Sequence, residues 1–399
     1  MMTPALSIDV LLRRLAALQL ALTRREIALA VLTDNTDIFY YTGSVQPQYL
    51  LVPVQGDPLV LARKALTRIT REVAHLPVRV FAGTQDLLAI LEAAGLSNVR
   101  RLGLTLEVAS YTTVQRLQRL LPHAELVDVS WDIRTLRMVK SPEEIEIFTR
   151  AGRVMAQIPE FVRRAFRPGM SELELSAALE YALRLQGHGT LFRCRREGVE
   201  MSAYGVCAAG ERTLAGTKFE GICGGEGLSA AVPYGASAAV IERGSSIVID
   251  FAFVLEGYHL DQTRMACWGE ACPEVARAFS AMLEVQQAIL QVMTPGALWE
   301  KVYRAAVSMA EAQGYADSFM GVGREQVKFV GHGVGLAIDE PPFLAPKMPY
   351  PLEVGMVIAV EPKVALPGIG VVGIEDTVVI REVGPEFLTV CPREIITLE

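Results

Sequence analysis

The stretch Ser245-Ser-Ile-Val-Ile-Asp250-Phe-Ala-Phe-Val-Leu-Glu-Gly-Tyr-His259-Leu-Asp261-Gln-Thr-Arg264 constrains this chain more than any other. It reads as a β-hairpin in which an apolar strand carries Asp250, Glu256-Gly257 makes the turn, and a second strand carries Asp261. A carboxylate set in an apolar strand is costly to bury unless a cation compensates it. Two such acids on paired strands are placed to converge on one point. That point reads as a metal site, with further ligands expected downstream.

Three positions qualify. Phe329-Val-Gly-His332-Gly-Val-Gly sets one imidazole among glycines, which permit close backbone approach. Val357-Ile-Ala-Val-Glu361-Pro362 ends an apolar strand in an acid, and Gly373-Ile-Glu375-Asp376-Thr-Val-Val-Ile does the same in the last hairpin. Taken singly, each acid also fits a capped or hydrogen-bonded structural residue. Taken together, Asp250, Asp261, His332, Glu361 and Glu375 form four carboxylates and one imidazole that would repel one another unless neutralised. Two divalent metal ions would relieve that repulsion. Oxygen-rich ligation with one nitrogen suits Mn, Co, Fe or Zn alike.

Composition narrows the partners. The formal charge of −7 over 399 residues argues against nucleic acid or an anionic membrane surface. The cysteines at 194, 207, 223, 267, 272 and 391 form neither a CxxC pattern nor a dense disulfide frame, which suits a reducing, cytoplasmic setting. Residues 1–14 lack the pattern of a secretory leader. The longest uncharged run, 38–56, contains Gly43, Pro47 and Pro53 and reads as two strands and a loop, with no membrane span expected.

Along the chain, strands near 28–32, 49–54, 58–62, 78–81, 101–104 and 125–128 alternate with helical stretches opening at Val10 and near 63–75, 84–94 and 107–120. That alternation predicts a small α/β domain with helices on a mixed sheet, over residues 1–136. A second domain, 137–399, opens on Lys140-Ser141-Pro142-Glu143-Glu144, a helix start predicted to run to about Ala165. Ser171-Glu-Leu-Glu is a capping box for the next helix, and strands follow from Leu191, interrupted by a helical pair around 273–313. Gly221 to Gly227 is glycine-rich but lacks the Gly-Lys-Ser/Thr of a phosphate loop.

The set Asp250…Asp261-Gln-Thr-Arg264, Gly331-His332-Gly-Val-Gly, Glu361-Pro362 and Ile374-Glu375-Asp376-Thr377 resembles the pita-bread metallopeptidases, including aminopeptidase P, prolidase, methionine aminopeptidase and creatinase. The resemblance covers nearly the whole chain. It implies an α/β (α+β) architecture, a creatinase-type N-terminal domain before a pita-bread catalytic domain, and a homodimer. It also implies that Asp250 holds one metal, His332 and Glu361 the other, and that Asp261 and Glu375 bridge them. A water between two metals then becomes the nucleophile, with Glu361 as proton shuttle. His259, two residues before Asp261, fits packing support better than ligation.

Three departures stand beside the matches. Tyr234 occupies the place of a histidine in Pro-His-Gly, Asp339 that of a second histidine before Glu-Pro-Pro, and Gly373 that of an arginine before the last ligand. Tyr234 still donates a hydrogen bond, whereas an ionised Asp339 only accepts. Arg193 and Arg195, which share a face if Phe192-Arg193-Cys-Arg195-Arg196-Glu-Gly is a strand, are candidates for the anion site vacated at Gly373. The resemblance thus implies an Xaa-Pro exopeptidase acting on a small peptide. The departures keep open a metal-dependent non-peptidase reaction on a small molecule, by C–N hydrolysis or elimination with Tyr234 or Asp339 as acid/base. A non-catalytic binding protein on the same scaffold is the third reading.

Overall fold

The computed structural model of the chain describes residues 6–195, 205–219 and 221–399. Two compact units make it up, Met1–Arg137 and Met138–Glu399.

The first unit is built on short, almost uniformly buried strands: β1 (Leu29–Leu32), β2 (Tyr49–Pro53), β3 (Leu59–Ala62), β4 (Val78–Val80), β5 (Arg101–Leu104) and β6 (Glu125–Asp128). They form one sheet in the order β4-β3-β2-β1-β5-β6. The pairs β1–β2 and β2–β3 are antiparallel, and β3–β4, β1–β5 and β5–β6 are parallel, so the sheet is mixed as expected. Helices α1 (Ile8–Arg24), α2 (Asn35–Thr42), α3 (Leu66–Glu72), α4 (Thr84–Ala93) and α5 (Tyr111–Leu120) accompany it. Leu87 and Leu91 of α4 and Leu117 and Leu120 of α5 share a core with Leu29, Leu51, Leu102 and Leu104 of the sheet.

One local expectation is corrected here. Residues 38–42 belong to α2 rather than to a strand. Asp34 caps that helix by accepting from the Thr36 and Asp37 amides, and Gly43 closes it at φ +75°. The Phe-Tyr-Tyr run favours a strand by propensity, but the flanking caps decide the outcome. Helix α6 (Ser130–Met138) ends the unit, and its Arg137 forms a buried ion pair with Asp37 at 3.3 Å.

The second unit opens with α7 (Pro142–Met155), α8 (Ile158–Ala165) and α9 (Glu172–Leu185). Ser141 and Ser171 each complete a capping box, with Glu144 and Glu174 respectively. The single helix expected to Ala165 is broken at Ala156-Gln157. Pro159 has no amide hydrogen to give the Met155 carbonyl, so the ladder cannot run through.

Beyond α9, β7 (Val206–Ala209), β8 (Ser246–Leu255) and β9 (Tyr258–Trp268) begin a sheet, joined at its edge by the late strand β17 (Ile396–Leu398), in the order β17-β9-β8-β7. The β8–β9 hairpin turns on Glu256 (φ +52°) and Gly257 (φ +92°), the positive-φ pair that suits the twist of a two-residue turn. The other sheet uses β10 (Gly331–Gly333), β11 (Glu340–Phe343), β12 (Val357–Val360), β15 (Asp376–Arg381) and β16 (Gly384–Phe387), in the order β11-β10-β12-β15-β16. Between them in sequence, β13 (Lys363–Leu366) and β14 (Gly370–Gly373) form a separate two-stranded ribbon. Helices α10 (Pro273–Val292) and α11 (Trp299–Ala312) pack their apolar faces into the same core as Val248, Met265, Ile358 and Val378. Among the described residues, no helix is long and apolar enough to cross a membrane.

The two sheets are stitched by buried polar side chains. Arg264 of β9 is fully buried, and its guanidinium donates to the carbonyls of Thr263, Glu375, Cys391 and Pro392 and to Asp376 Oδ1 at 2.6 Å. Asp376 in turn accepts from Thr389 Oγ1 at 2.7 Å and Gln286 Nε2 at 3.2 Å. Breaking a buried pair from one side leaves an uncompensated charge, at a cost of about 3–5 kcal/mol. Arg264→Met is therefore expected to lower the urea-unfolding free energy of the second unit by that amount. The double variant Arg264→Met with Asp376→Leu should lose less than Arg264→Met alone.

His188, after α9, is fully buried, and its Nδ1 accepts from the Val254 amide at 2.9 Å. Burial, reinforced by Arg184, pushes the imidazole down to about 4. The unfolded chain takes up that proton near 6.5, so the stabilisation is complete above pH 6.5 and is lost as pH falls towards 4. The loss amounts to about 3 kcal/mol for one such group. Denaturant titrations at pH 7 and 4.5 should show a shallower pH dependence for His188→Asn, whose amide oxygen can replace Nδ1 as acceptor.

Candidate metal centre

Three neighbouring strands gather the downstream ligands. The register of β10, β12 and β15 sets Gly331 beside Val360 and Val360 beside Asp376. His332, Glu361 and Glu375 each lie one residue from that row, at one end of the sheet. The β8–β9 hairpin supplies the other two acids. Asp250 pairs with Thr263, two residues beyond Asp261, a diagonal that puts both carboxylates on one face. The hairpin is fixed to β15 by Thr377 Oγ1, which donates to the Asp261 carbonyl at 2.8 Å, and by the Glu375 amide, which donates to the Thr263 carbonyl at 3.3 Å.

All five expected ligands line one cleft of about 620 Å³. His332 Nε2 lies 3.6 Å from Glu361 Oε1 and 4.0 Å from Asp261 Oδ2. Ligand atoms of Asp261, His332 and Glu375 all fall within 4.8 Å of one another. Glu375 Oε1 is buried and, among the described residues, accepts no hydrogen bond, an expensive state for a carboxylate oxygen unless a cation meets it. This side of the cluster fits a divalent cation held by Asp261, His332, Glu361 and Glu375.

The other side holds a residue that sequence reasoning missed. Lys363 is 1% exposed, and its Nζ donates to Glu361 Oε2 at 2.7 Å, Asp250 Oδ2 at 3.1 Å and Glu375 Oε2 at 3.1 Å. Thr263 Oγ1 also donates to Glu375 Oε2, at 2.7 Å. Burial opposes the charge on Lys363, but Asp250, Glu361 and Glu375 outweigh it and raise the ammonium well above its usual range. Asp261, which Lys363 does not touch, has its carboxyl raised well above the usual range by burial and by its neighbours Glu375 and Asp250. His332 is raised despite burial, by Glu361, Asp339 and Glu375. The Asp250 carboxyl is raised too, by burial above all, despite its contact with Lys363.

Gly373 explains how the lysine fits. In the β13–β14 ribbon it pairs with Lys363, and a Cβ at 373 would lie 2.5 Å from Lys363 Cγ and 2.5 Å from the Pro362 carbonyl oxygen. Lys363 stands two residues after Glu361, but the chain leaves β12 at Val360 and enters the separate ribbon at Lys363, so no strand period in the sequence announces their contact.

The remaining site candidates separate. Tyr234 and Asp339 both line the cleft. Burial and the Asp250 carboxylate push the Tyr234 phenol well above its ordinary range, so it remains a donor. Its position depends on the glycine-rich loop, where a Cβ on Gly227 (φ +64°) would strike the Val232 carbonyl and the Tyr234 amide. Phe192 lines the cleft, whereas Arg193 and Arg195 are half-buried and are not among its lining residues. Residues 191–195 form no strand, so the shared face expected for the two arginines is not formed; Arg196-Glu-Gly lies outside the described residues. His259 ties the wall together: Nδ1 meets the Gly335 carbonyl at 3.0 Å and Nε2 accepts from the Arg193 amide at 3.2 Å. Burial lowers it to about 4, consistent with a neutral packing histidine.

Comparison with known proteins matches this arrangement to one family. Residues 146–382 match Metallopeptidase family M24, and residues 14–139 match the Creatinase/Prolidase N-terminal domain. An uncharacterized peptidase, YqhT, of Bacillus subtilis is 28% identical over 373 residues, covering 92% of this chain and 95% of that protein. The Xaa-Pro dipeptidase of Pyrococcus furiosus is 29% identical over 368 residues, covering 90% of this chain and 92% of that protein. Among solved structures, the Xaa-Pro dipeptidase from Bacillus anthracis superposes with a TM-score of 0.82 at 24% identity, over 97% of this chain and 100% of that one. Dipeptidase PepE from Mycobacterium ulcerans gives 0.79 at 26% identity, over 98% of this chain and 99% of that one. With its creatinase-type first domain, its pita-bread second domain and the gathered acids of its cleft, the chain belongs to metallopeptidase family M24.

Proposed function

We propose that this M24 member is a metal-dependent exopeptidase that cleaves short peptides beside proline. The observation that carries the reading is the convergence of Asp250, Asp261, His332, Glu361 and Glu375 on one cleft in a chain of this family. A divalent cation held there by Asp261, His332, Glu361 and Glu375 supplies Lewis-acid polarisation of a carbonyl and acidifies water. Glu361, with Oε2 on Lys363 and Oε1 towards His332, is the group placed to take and return a proton. Tyr234 donates to oxygen developing negative charge, and Asp339 receives a cationic or N–H group of the substrate. Phe192, Phe219, Phe329 and Phe343 give the cleft an apolar wall suited to a prolyl ring, and Arg324 and Lys328 at its lining suit a peptide carboxylate.

The cysteine spacing suits a reducing, cytoplasmic setting, and the family resemblance supports a homodimer as the working form. A second reading is favoured by Tyr234 and Asp339 in the cleft, where histidines were expected. In it the same centre performs C–N hydrolysis or elimination on a small molecule.

Amino-acid release from an Xaa-Pro series, after loading with Mn, Co, Fe or Zn in turn, separates the two. The exopeptidase reading expects turnover that Asp261→Ala and Glu361→Gln each reduce by at least about 100-fold, the scale of losing a group active in the transition state. No release from any member of the series, with metal bound, moves the assignment to the second reading. The double variant Tyr234→His with Asp339→His is expected to raise kcat/KM for Xaa-Pro peptides. An unchanged value would mean that those two positions do not limit peptide hydrolysis.

A further inference from the structure

We propose that the Lys363 ammonium permanently occupies one of the two cation positions of this centre, so that each chain binds a single divalent metal, held by Asp261, His332, Glu361 and Glu375. The inference rests on the metal-dependent reading of the site and changes its stoichiometry.

The carboxylates divide their oxygens between two sides. Glu361 turns Oε2 to the ammonium and Oε1 to His332. Glu375 turns Oε2 to the ammonium and to Thr263, and leaves Oε1 buried and, among the described residues, unmet. Asp250 gives Oδ2 to Lys363. Asp261 lies within metal-ligand range of His332 and Glu375, and the ion pairs of Lys363 are with Asp250, Glu361 and Glu375. One side is thus closed by N–H donors at 2.7–3.1 Å, while on the other side ligand atoms of Asp261, His332 and Glu375 lie within 4.8 Å of one another.

Charge leads to the same division. Four carboxylates are met by one ammonium and one divalent ion with a single negative charge left over; a second divalent ion would reverse the sign. A metal bonded to Asp250 and Glu375 would sit about 2.1 Å from their oxygens, against the ammonium that already bridges them. Lys363 has little room to withdraw. Its side chain is 2% exposed, its carbonyl accepts from the Met320 amide at 2.9 Å, and its stem crosses the space left by Gly373. Lys363 is accordingly a positioning residue: it aims one oxygen each of Glu361 and Glu375 at the metal by holding the other.

Metal counting tests this without reference to turnover. The full-length protein is loaded with excess Mn(II), Co(II) or Zn(II), desalted, and analysed for metal per chain, and the Mn(II) form is examined by electron paramagnetic resonance. The expected result is one metal per chain with the six-line signal of an isolated Mn(II) ion. Lys363→Ala, checked for folding by circular dichroism, should take up a second metal and show spin coupling. Lys363→Arg should stay at one. Two metals in the wild-type protein, or none, would overturn the proposal, as would a folded Lys363→Ala that still binds one. If Lys363→Ala does not fold, the wild-type count and spectrum decide alone. Two metals with Xaa-Pro turnover would sink this inference and leave the exopeptidase reading intact; one metal without turnover would do the reverse.

Discussion

Four carboxylates gathered around a histidine form a structure that positive charge must hold together, and the second unit is shaped by that requirement. Asp250, Asp261, Glu361 and Glu375 come from strands of two sheets, and their mutual repulsion opposes the approach of those sheets. Lys363 meets three of the four from the β13–β14 ribbon. The raised carboxyl of Asp261 shows where compensation is still wanted. The cleft is therefore a site whose negative charge Lys363 neutralises only in part.

The surrounding architecture repeats the device of pairing a buried charge with enough partners to make its burial tolerable. Arg264 directs every donor of its fork to an acceptor, so β9, β15 and the 391–392 segment are fixed at one end of the ligand row. Glu172 at the start of α9 accepts from the Ala209 amide, Arg212, and both the amide and hydroxyl of Ser237, anchoring β7. Lys140 reaches Glu340, next to Asp339, at 3.0 Å in a fully buried pair. Such ties contribute little net stability over well-packed apolar groups, but each is costly to break from one side. What they provide is register, which a centre assembled from distant strands cannot do without.

Much of this was legible in the sequence because the relevant signals are local. Apolar strands of the first unit, the capping boxes at Ser141 and Ser171, the 250–261 hairpin and the acids closing apolar strands are each written within a few residues. The failures have physical causes of the same kind. Residues 38–42 carry strand-favouring aromatics, yet Asp34 and Gly43 cap them as a helix. Pro159 divides a helix whose periodicity runs on unbroken. A replacement for the arginine absent at Gly373 was sought in Arg193 and Arg195, beside the cleft residue Phe192. The partner of Gly373 was across a two-stranded ribbon, and only the pairing of Lys363 with Gly373 makes the connection visible.

That ribbon also bears on how such a centre can change. With Lys363 in place, any side chain at 373 meets the lysine stem and the Pro362 carbonyl at once. A side chain at 373 and the lysine stem at 363 therefore exclude one another in this ribbon. The two positions are coupled: placing a side chain at 373 requires a change at Lys363 and a shift of the Pro362 backbone together.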